Sequence, residues 1–234
     1  MIDARATIGE LSATVPNATR VFEELGIDYC CGGTRALGDA CAEAKLPVDE
    51  VVRALERAGA GRRAVVDDDV VDLIDHIVST HHSFTRSELA RMRKLAHEVQ
   101  ITHGARHTEL ATLVDLLDQL TNDLVPHMDK EERILFPYIV SLELGPRGQP
   151  RMRAQFGTVK SPIAHLRREH ETTSMLLRAI RTTTHDLRAP ADASEPYVAL
   201  LEGLAALDRD LHEHIHLENN VLFVRAIGLE EKAA

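Results

Sequence analysis

The chain has 234 residues, 44% of them hydrophobic, with three cysteines, 3% aromatics, no tryptophan and a formal net charge of −10. That length allows one large domain or two small ones, and the apolar share suffices for a packed core. No apolar run reaches the roughly 18 residues of a spanning helix, the negative charge disfavours nucleic acid as a partner, and so few aromatics disfavour a base-stacking platform.

The opening residues, MIDARATIGELSATVP, lack a basic stretch followed by an apolar one, so no signal peptide is expected. Three cysteines, a small odd number, argue against a disulfide framework, and a cytoplasmic location follows as the default. Residues 1–60 read as a small helical module. Val15 to Leu25 carries a helical pattern, with Pro16 at a first turn and Gly26 closing it. Asp28-Tyr29-Cys30-Cys31-Gly32-Gly33 is a tight loop. Two further helical stretches follow, about 35–45 and 48–58, divided by Pro47. Cys41 falls within the first of them and reads as core. Gly59 ends the last, and GRRAVVDDD is the expected linker, with Arg62 and Arg63 as solvated charges.

Four long helical stretches then occupy residues 69–228, at about 69–98, 105–143, 161–184 and 195–226. Asp67, Asp68 and Asp69 favour the start of the first through capping and the helix dipole. Ser161-Pro162 opens the third, and Ser194-Glu195-Pro196 opens the fourth. Gly145 to Pro150 is a turn cluster inside the longest connection, where Arg151 and Arg153 read as solvated. No strand-like alternation stands out. The expected fold is all-α: the small N-terminal helical domain followed by an up-down-up-down four-helix bundle.

Two copies of one phrase, His127-Met-Asp-Lys-Glu131 and His214-Ile-His-Leu-Glu218, place a His four residues before a Glu. On a helix that spacing stacks both side chains on one face. In the second stretch the apolar seam runs Leu113, Leu117, Leu120, Leu124, His127, Glu131, Leu135. In the fourth it runs Leu200, Leu204, Leu207, Leu211, His214, Glu218, Val221. The third carries Ile163, Leu166, His170, Ser174 and Leu177 on its seam. A lone buried Glu or charged His is costly, so two such pairs at matching depth point inward at a cation rather than at hydrocarbon. One hydrogen-bonded His–Glu pair per helix is the plain packing alternative.

The first stretch offers His81 and His82. The seam Val70, Ile74, Ile77 continues to His81, with His82 about 100° round the helix. Phase alone chooses His81. Ligation by nitrogen and oxygen, with carboxylates able to bridge, suits iron or manganese; structural zinc would favour cysteine. Of the remaining histidines, His212 and His216 point away from His214 and read as solvated or supporting. His76, His97, His103, His107, His165 and His185 read as surface or linker residues.

The adjacent thiols of Cys30 and Cys31 do not join easily in an unstrained disulfide, and Gly32 and Gly33 permit a sharp turn or a close approach. The pair reads either as a redox or metal-handing dithiol or as a buried turn.

Residues 69–228, with HMDKEERILFP, REH and HIHLENNVLF, resemble a hemerythrin-type cation-binding bundle. Residues 1–58, with DYCCGG, resemble the small domain that accompanies it in the repair-of-iron-centres (ScdA-type) di-iron family. The resemblance implies two carboxylate-bridged iron ions held by His82, His127, Glu131, His170, His214 and Glu218. On the first helix it favours the second residue of the His81-His82 pair. It implies repair of iron–sulfur clusters damaged by nitrosative or oxidative stress, with damaged iron–sulfur proteins as partners, and it favours the functional reading of Cys30 and Cys31. Oxygen-carrying hemerythrins have a further His where Ser174 stands, which weakens a dioxygen-carrier reading and leaves a freer coordination position. Reduction of nitric oxide or peroxide, and sensing of dioxygen or nitric oxide, are the competing functions. No membrane partner is expected, and a homodimer is left open.

Overall fold

A computed structural model describes residues 2–59, 69–148, 152–153 and 156–233. Most of the GRRAVVDDD linker, with Arg62, Arg63, Asp67 and Asp68, lies outside the described residues, as do Arg151 and the end of the Gly145–Pro150 turn cluster. Among the described residues every regular element is helical, and no helix is long and apolar enough to cross a membrane.

Four short helices come first: α1 (Ile8–Thr14), α2 (Ala18–Glu24), α3 (Leu37–Glu43) and α4 (Val48–Gly59). The first was not anticipated from the sequence, though it carries a complete capping box. Thr7 accepts from the Glu10 amide and the Glu10 carboxylate accepts from the Thr7 amide. Gly26 takes φ +67 just past α2, the left-handed turn expected of a closing glycine. Ile8, Phe22, Tyr29, Leu37, Cys41 and Leu55 form the core of this part, and Ile215 from the last long helix completes it.

Four long helices follow. Helix α5 comprises Val70–His76 and Ser83–His103, joined by a π-helical turn at Ile77–His82. Helix α6 comprises Glu109–Lys130 and Phe136–Leu144 around a π turn at Glu131–Leu135. Helix α7 is regular over Lys160–Thr183. Helix α8 comprises Glu195–His216 and Phe223–Ala233 around a π turn at Leu217–Leu222. The Asp69 side chain caps α5 by accepting from the Val71 amide. Helix α5 packs between α6 and α8, and α6 against α7.

Two apolar layers fill the bundle. One is built around Leu89, Met92, Leu113, Leu117, Leu200 and Leu211, the other around Ile77, Leu135, Ile139, Leu222 and Phe223. Buried His and Glu side chains separate them. The expected seams of α6 and α7 are buried throughout. In α8 the seam departs from expectation at its end: Val221 is half-buried and Leu222 is fully buried. The π turn inserts one residue and carries the next inward position forward by one.

The N-terminal helices dock on the π turn of α8. Asn220 donates to the Tyr29 carbonyl at 2.9 Å and Asn219 to the Cys30 carbonyl at 3.2 Å. A Cβ on Gly33 would stand 2.1 Å from Asn220 Oδ1, and one on Gly9 2.7 Å away. Gly33→Ala is therefore expected to destabilise the protein by about 1–3 kcal/mol, as overpacking does. Urea unfolding measures this, and an unchanged midpoint would mean the contact relaxes without penalty.

Candidate metal centre

The three π turns fall at the same depth, and each carries a residue of one polar cluster: His82, Glu131 and Glu218. π turns inside α-helices gather at functional sites because they re-aim side chains without ending the helix. In α5 the buried positions run Ile77, His81, His82, Thr85, Leu89, Met92, and of the two histidines His82 is the one that joins the cluster. The step from Ile77 to His82 spans five residues, so His82 takes the inward place that regular helical phase assigns to His81.

Two overlapping groups result: His82, Glu131, His214 and Glu218, and His127, Glu131, His170 and Glu218. Within each group one ligand atom per residue lies within 4.8 Å of every other, and all six residues are buried. Each group has two imidazoles, and both share the same two carboxylates. The His214 Nε2–Glu218 Oε1 distance is 3.0 Å, and His170 Nε2–Glu218 Oε2 is 3.1 Å. His127 Nε2–Glu131 Oε2 is 3.3 Å, and His82 Nε2 stands 3.4 Å from Glu218 and 3.6 Å from Glu131.

Outer partners set the ring tautomers. His82 Nδ1 faces Glu132 at 2.8 Å, His127 Nδ1 faces Glu169 at 2.8 Å, and His170 Nδ1 faces Asn219 Oδ1 at 3.0 Å. An acceptor at Nδ1 places the proton there and turns the Nε2 lone pair inward. His127 Nε2 and His170 Nε2 approach to 2.9 Å. Both oxygens of Glu131 are buried without a hydrogen-bond partner. Converging nitrogen lone pairs and unpartnered carboxylate oxygens need protons or a cation between them. This donor set of imidazole and carboxylate fits a metal, and both groups lack thiolate.

Sequence reading missed these outer partners, yet each adjoins a ligand along the chain: Glu132 follows Glu131, Glu169 precedes His170, and Asn219 follows Glu218. Those doublets were the available signal. His81 is buried outside both groups, its Nδ1 2.9 Å from Asp210 and its ring stacked on His214. His212 bonds to the Asp208 carbonyl. His216 is not solvated: it is buried beneath Tyr29, bonded to Asn220. Nor is His103 a surface residue; it is buried and bonded to Ser194 at 2.8 Å.

The thiol loop lies beside the cluster. Cys31 Sγ is 3.1 Å from Ser174 Oγ, and Cys30 Sγ is 4.0 Å from the same oxygen. Asp28 shapes the loop, accepting from the Cys31 and Gly32 amides and from the Cys30 thiol. A hydrogen bond from Cys30 lowers the Cys31 pKa despite burial, and the same bond, with burial, raises that of Cys30. Cys41 is buried in the core of the N-terminal helices, as expected.

Residues 73–226 match the hemerythrin HHE cation-binding domain, and residues 4–59 match ScdA_N, a domain of unknown function. The chain belongs to the ScdA-type hemerythrin family. Among its relatives are proteins named iron–sulfur cluster repair protein YtfE. That of Dickeya chrysanthemi (strain Ech1591) is 35% identical over 229 residues, 94% of this chain and 96% of that one. That of Pectobacterium carotovorum subsp. carotovorum (strain PC1) is 33% identical over 224 residues, covering 94% and 96%. That of Escherichia coli (strain SMS-3-5) is 34% identical over 227 residues, covering 95% and 97%. The family's bundle binds metal cations, and the two His–Glu groups are where this chain gathers the means to do so.

Burial works against a charged His127, but the nearby Glu131 charge and the hydrogen bond to Glu169 carry the ring up to about 10. Burial likewise opposes a charged His82, and Glu218 and Glu131 override it to raise the ring. Burial also opposes a charged Glu218, but His214, His170 and His82 hold it well below the ordinary carboxylate range. A metal must displace the imidazolium protons. Titrating metal into the apoprotein at pH 7.5 in weak buffer should release protons, about one or more per chain, and affinity should rise with pH. The raised His127 pKa also means that this ring's contribution to apoprotein stability is full below 6.5 and is lost as pH climbs through about 10. Metal uptake without proton release would contradict this protonation state.

The π turn makes a second expectation. His82→Gln should lose about half of the bound metal, in keeping with ligand loss from one of two positions. His81→Gln should keep its full complement. Elemental analysis decides, and equal loss in both variants would reassign the ligand.

Proposed function

We propose that this protein is a non-haem di-iron protein, resident in the cytoplasm, that restores iron–sulfur clusters damaged by nitrosative or oxidative stress. Its ligands are His82, His127, Glu131, His170, His214 and Glu218. Two units share the work: residues 1–60, carrying the thiol loop, and the bundle of residues 69–228. The partners are proteins with damaged clusters, with nitric oxide, dioxygen or peroxide reaching the centre as small molecules.

The observation that carries this reading is the joint placement of a two-cation nest and a vicinal thiol pair, with Cys31 3.1 Å from Ser174 one turn beyond His170. Iron suits the all-nitrogen-and-oxygen donor set, and two shared carboxylates suit a pair of ions. Bound there, it supplies exchangeable coordination positions and redox chemistry. The chain's own residues do the rest. Glu132, Glu169 and Asn219 fix the imidazoles, the two apolar layers exclude bulk water, and the Cys30–Cys31 pair stands ready to receive or relay a thiophilic metal ion. The names of the relatives support the same reading.

Iron-loaded, reduced protein is expected to restore a nitric-oxide-damaged iron–sulfur enzyme beyond what an equal amount of free ferrous iron achieves. Cys30→Ser/Cys31→Ser protein should lose much of that advantage. Recovery no better than free iron would defeat the repair role. A Mössbauer count of two coupled ions per chain tests the centre separately. Catalytic conversion of nitric oxide to nitrous oxide in single turnover, without cluster recovery, would favour the reductase reading.

A further inference from the structure

A cavity of about 220 Å³ opens against the thiol loop, walled by Cys30, Cys31, Gly33, Arg167, Glu171 and Asn220 among others. Arg167 is half-buried there. Its Nη2 donates to the Asn219 backbone carbonyl at 2.8 Å, its Nε is buried with no partner, and no carboxylate pairs with it among the described residues. Burial alone holds its pKa below the ordinary guanidinium value. A guanidinium carries five donors, and withdrawing its charge from water without a counterion is costly. Glu171, one turn along α7, is exposed and lines the same cavity, and it too forms no ion pair among the described residues. A cation and an anion thus stand unpaired on one wall, with a thiol on the other.

We propose that this cavity binds a small zwitterionic sulfur compound of the cysteine or cystine class. The ligand's carboxylate rests on Arg167, its ammonium on Glu171 and its sulfur against Cys31. The volume lies below the roughly 300 Å³ at which drug-sized ligands begin to fit, so the part held in the cavity is about the size of one amino acid, which for cystine is the half whose sulfur meets Cys31. An unpaired guanidinium fork matches a carboxylate in two hydrogen bonds. The proposal rests on the thiol loop's placement, which the proposed function also uses, but not on the metal.

With the disulfide form bound, the Cys31 thiolate attacks one ligand sulfur. The new sulfur–sulfur bond forms as the ligand's own breaks. Half of the ligand leaves as a thiolate and takes a proton from solvent, while the other half stays as a mixed disulfide. The ligand disulfide is the oxidant: its departing sulfur is reduced as Cys31 is oxidised. Cys30 does not readily release the adduct, because adjacent Cα atoms are about 3.8 Å apart, short of the 4.4–6.8 Å usual for a disulfide. The adduct therefore persists beside Ser174 until an outside thiol removes it.

The test uses full-length, iron-loaded protein and two disulfides, cystine and neutral 2-hydroxyethyl disulfide, with adduct formation at Cys31 followed by mass spectrometry. Arg167→Gln and Glu171→Gln should each slow the cystine reaction at least roughly tenfold, the effect of losing one charged hydrogen bond. The neutral disulfide should react within about twofold in all three proteins, which also reports that each is folded and its thiol intact. Equal cystine rates in all three proteins would overturn the proposal. So would slowing of both disulfides alike, since the substitutions would then act on the thiol, and so would an adduct at Cys41 in place of Cys31. Cluster repair assayed on the same preparations keeps the two readings apart: loss of cystine selectivity leaves a positive repair result standing.

Discussion

Two fully buried glutamates with four imidazoles turned on them are the constraint around which this fold is arranged. A carboxylate in an apolar bundle is tolerable only if it is paired, and Glu131 has no hydrogen bond to either oxygen. Everything nearby answers that demand. The apolar layers stop on either side of the cluster, and the imidazoles reach in from all four long helices. An outer ring of Glu132, Glu169 and Asn219 takes up the protons on the far side of three of those rings. The acceptors in that ring are themselves anchored: Arg86 bonds to Glu132 and Lys130 to Glu169. Orientation at the centre is thus passed outward to charges that water can reach.

Three of the four long helices insert one residue at the cluster's level. Helix α7, which brings His170 and Ser174 one turn apart, does not. That difference explains what could be read from the chain. His127, Glu131, His170, His214 and Glu218 lie on seams that hold regular phase up to the ligand, so periodicity finds them. In α5 the insertion comes earlier, between Ile77 and His82, so regular phase leads to His81 while the cluster takes in His82. In α8 it comes after His214, and only Val221 and Leu222 exchange places. A π turn leaves no composition signal of its own, because it is produced by the tertiary demand for a ligand at that depth.

The N-terminal helices were legible as local pattern but not as a docked partner. Loop and capping residues announce themselves within a few positions, whereas the packing of Tyr29 on His216 joins residues far apart in sequence. The burial of His103, expected at the surface, and of His216, expected as solvated or supporting, is hidden for the same reason. A polar residue at a helix surface looks exposed until another segment covers it, and neither Tyr29 nor Ser194 advertises the histidine it meets.

The two halves are joined beside the His–Glu cluster. Asn219, next to Glu218, uses the two ends of one amide: its oxygen faces His170 and its nitrogen holds the Cys30 carbonyl. Asn220 grips the preceding carbonyl and fits against Gly33 and Gly9. Neither Gly32 nor Gly33 takes the left-handed conformation; Gly33 is explained by its close approach to Asn220 of the bundle, and Gly32 by that of its own loop, against the Asp28 carbonyl and Arg35. The amide that orients His170 also positions the thiol loop. Cys31 consequently stands against Ser174, one turn beyond His170. Loop and cluster are thus tied together through a single side chain, Asn219.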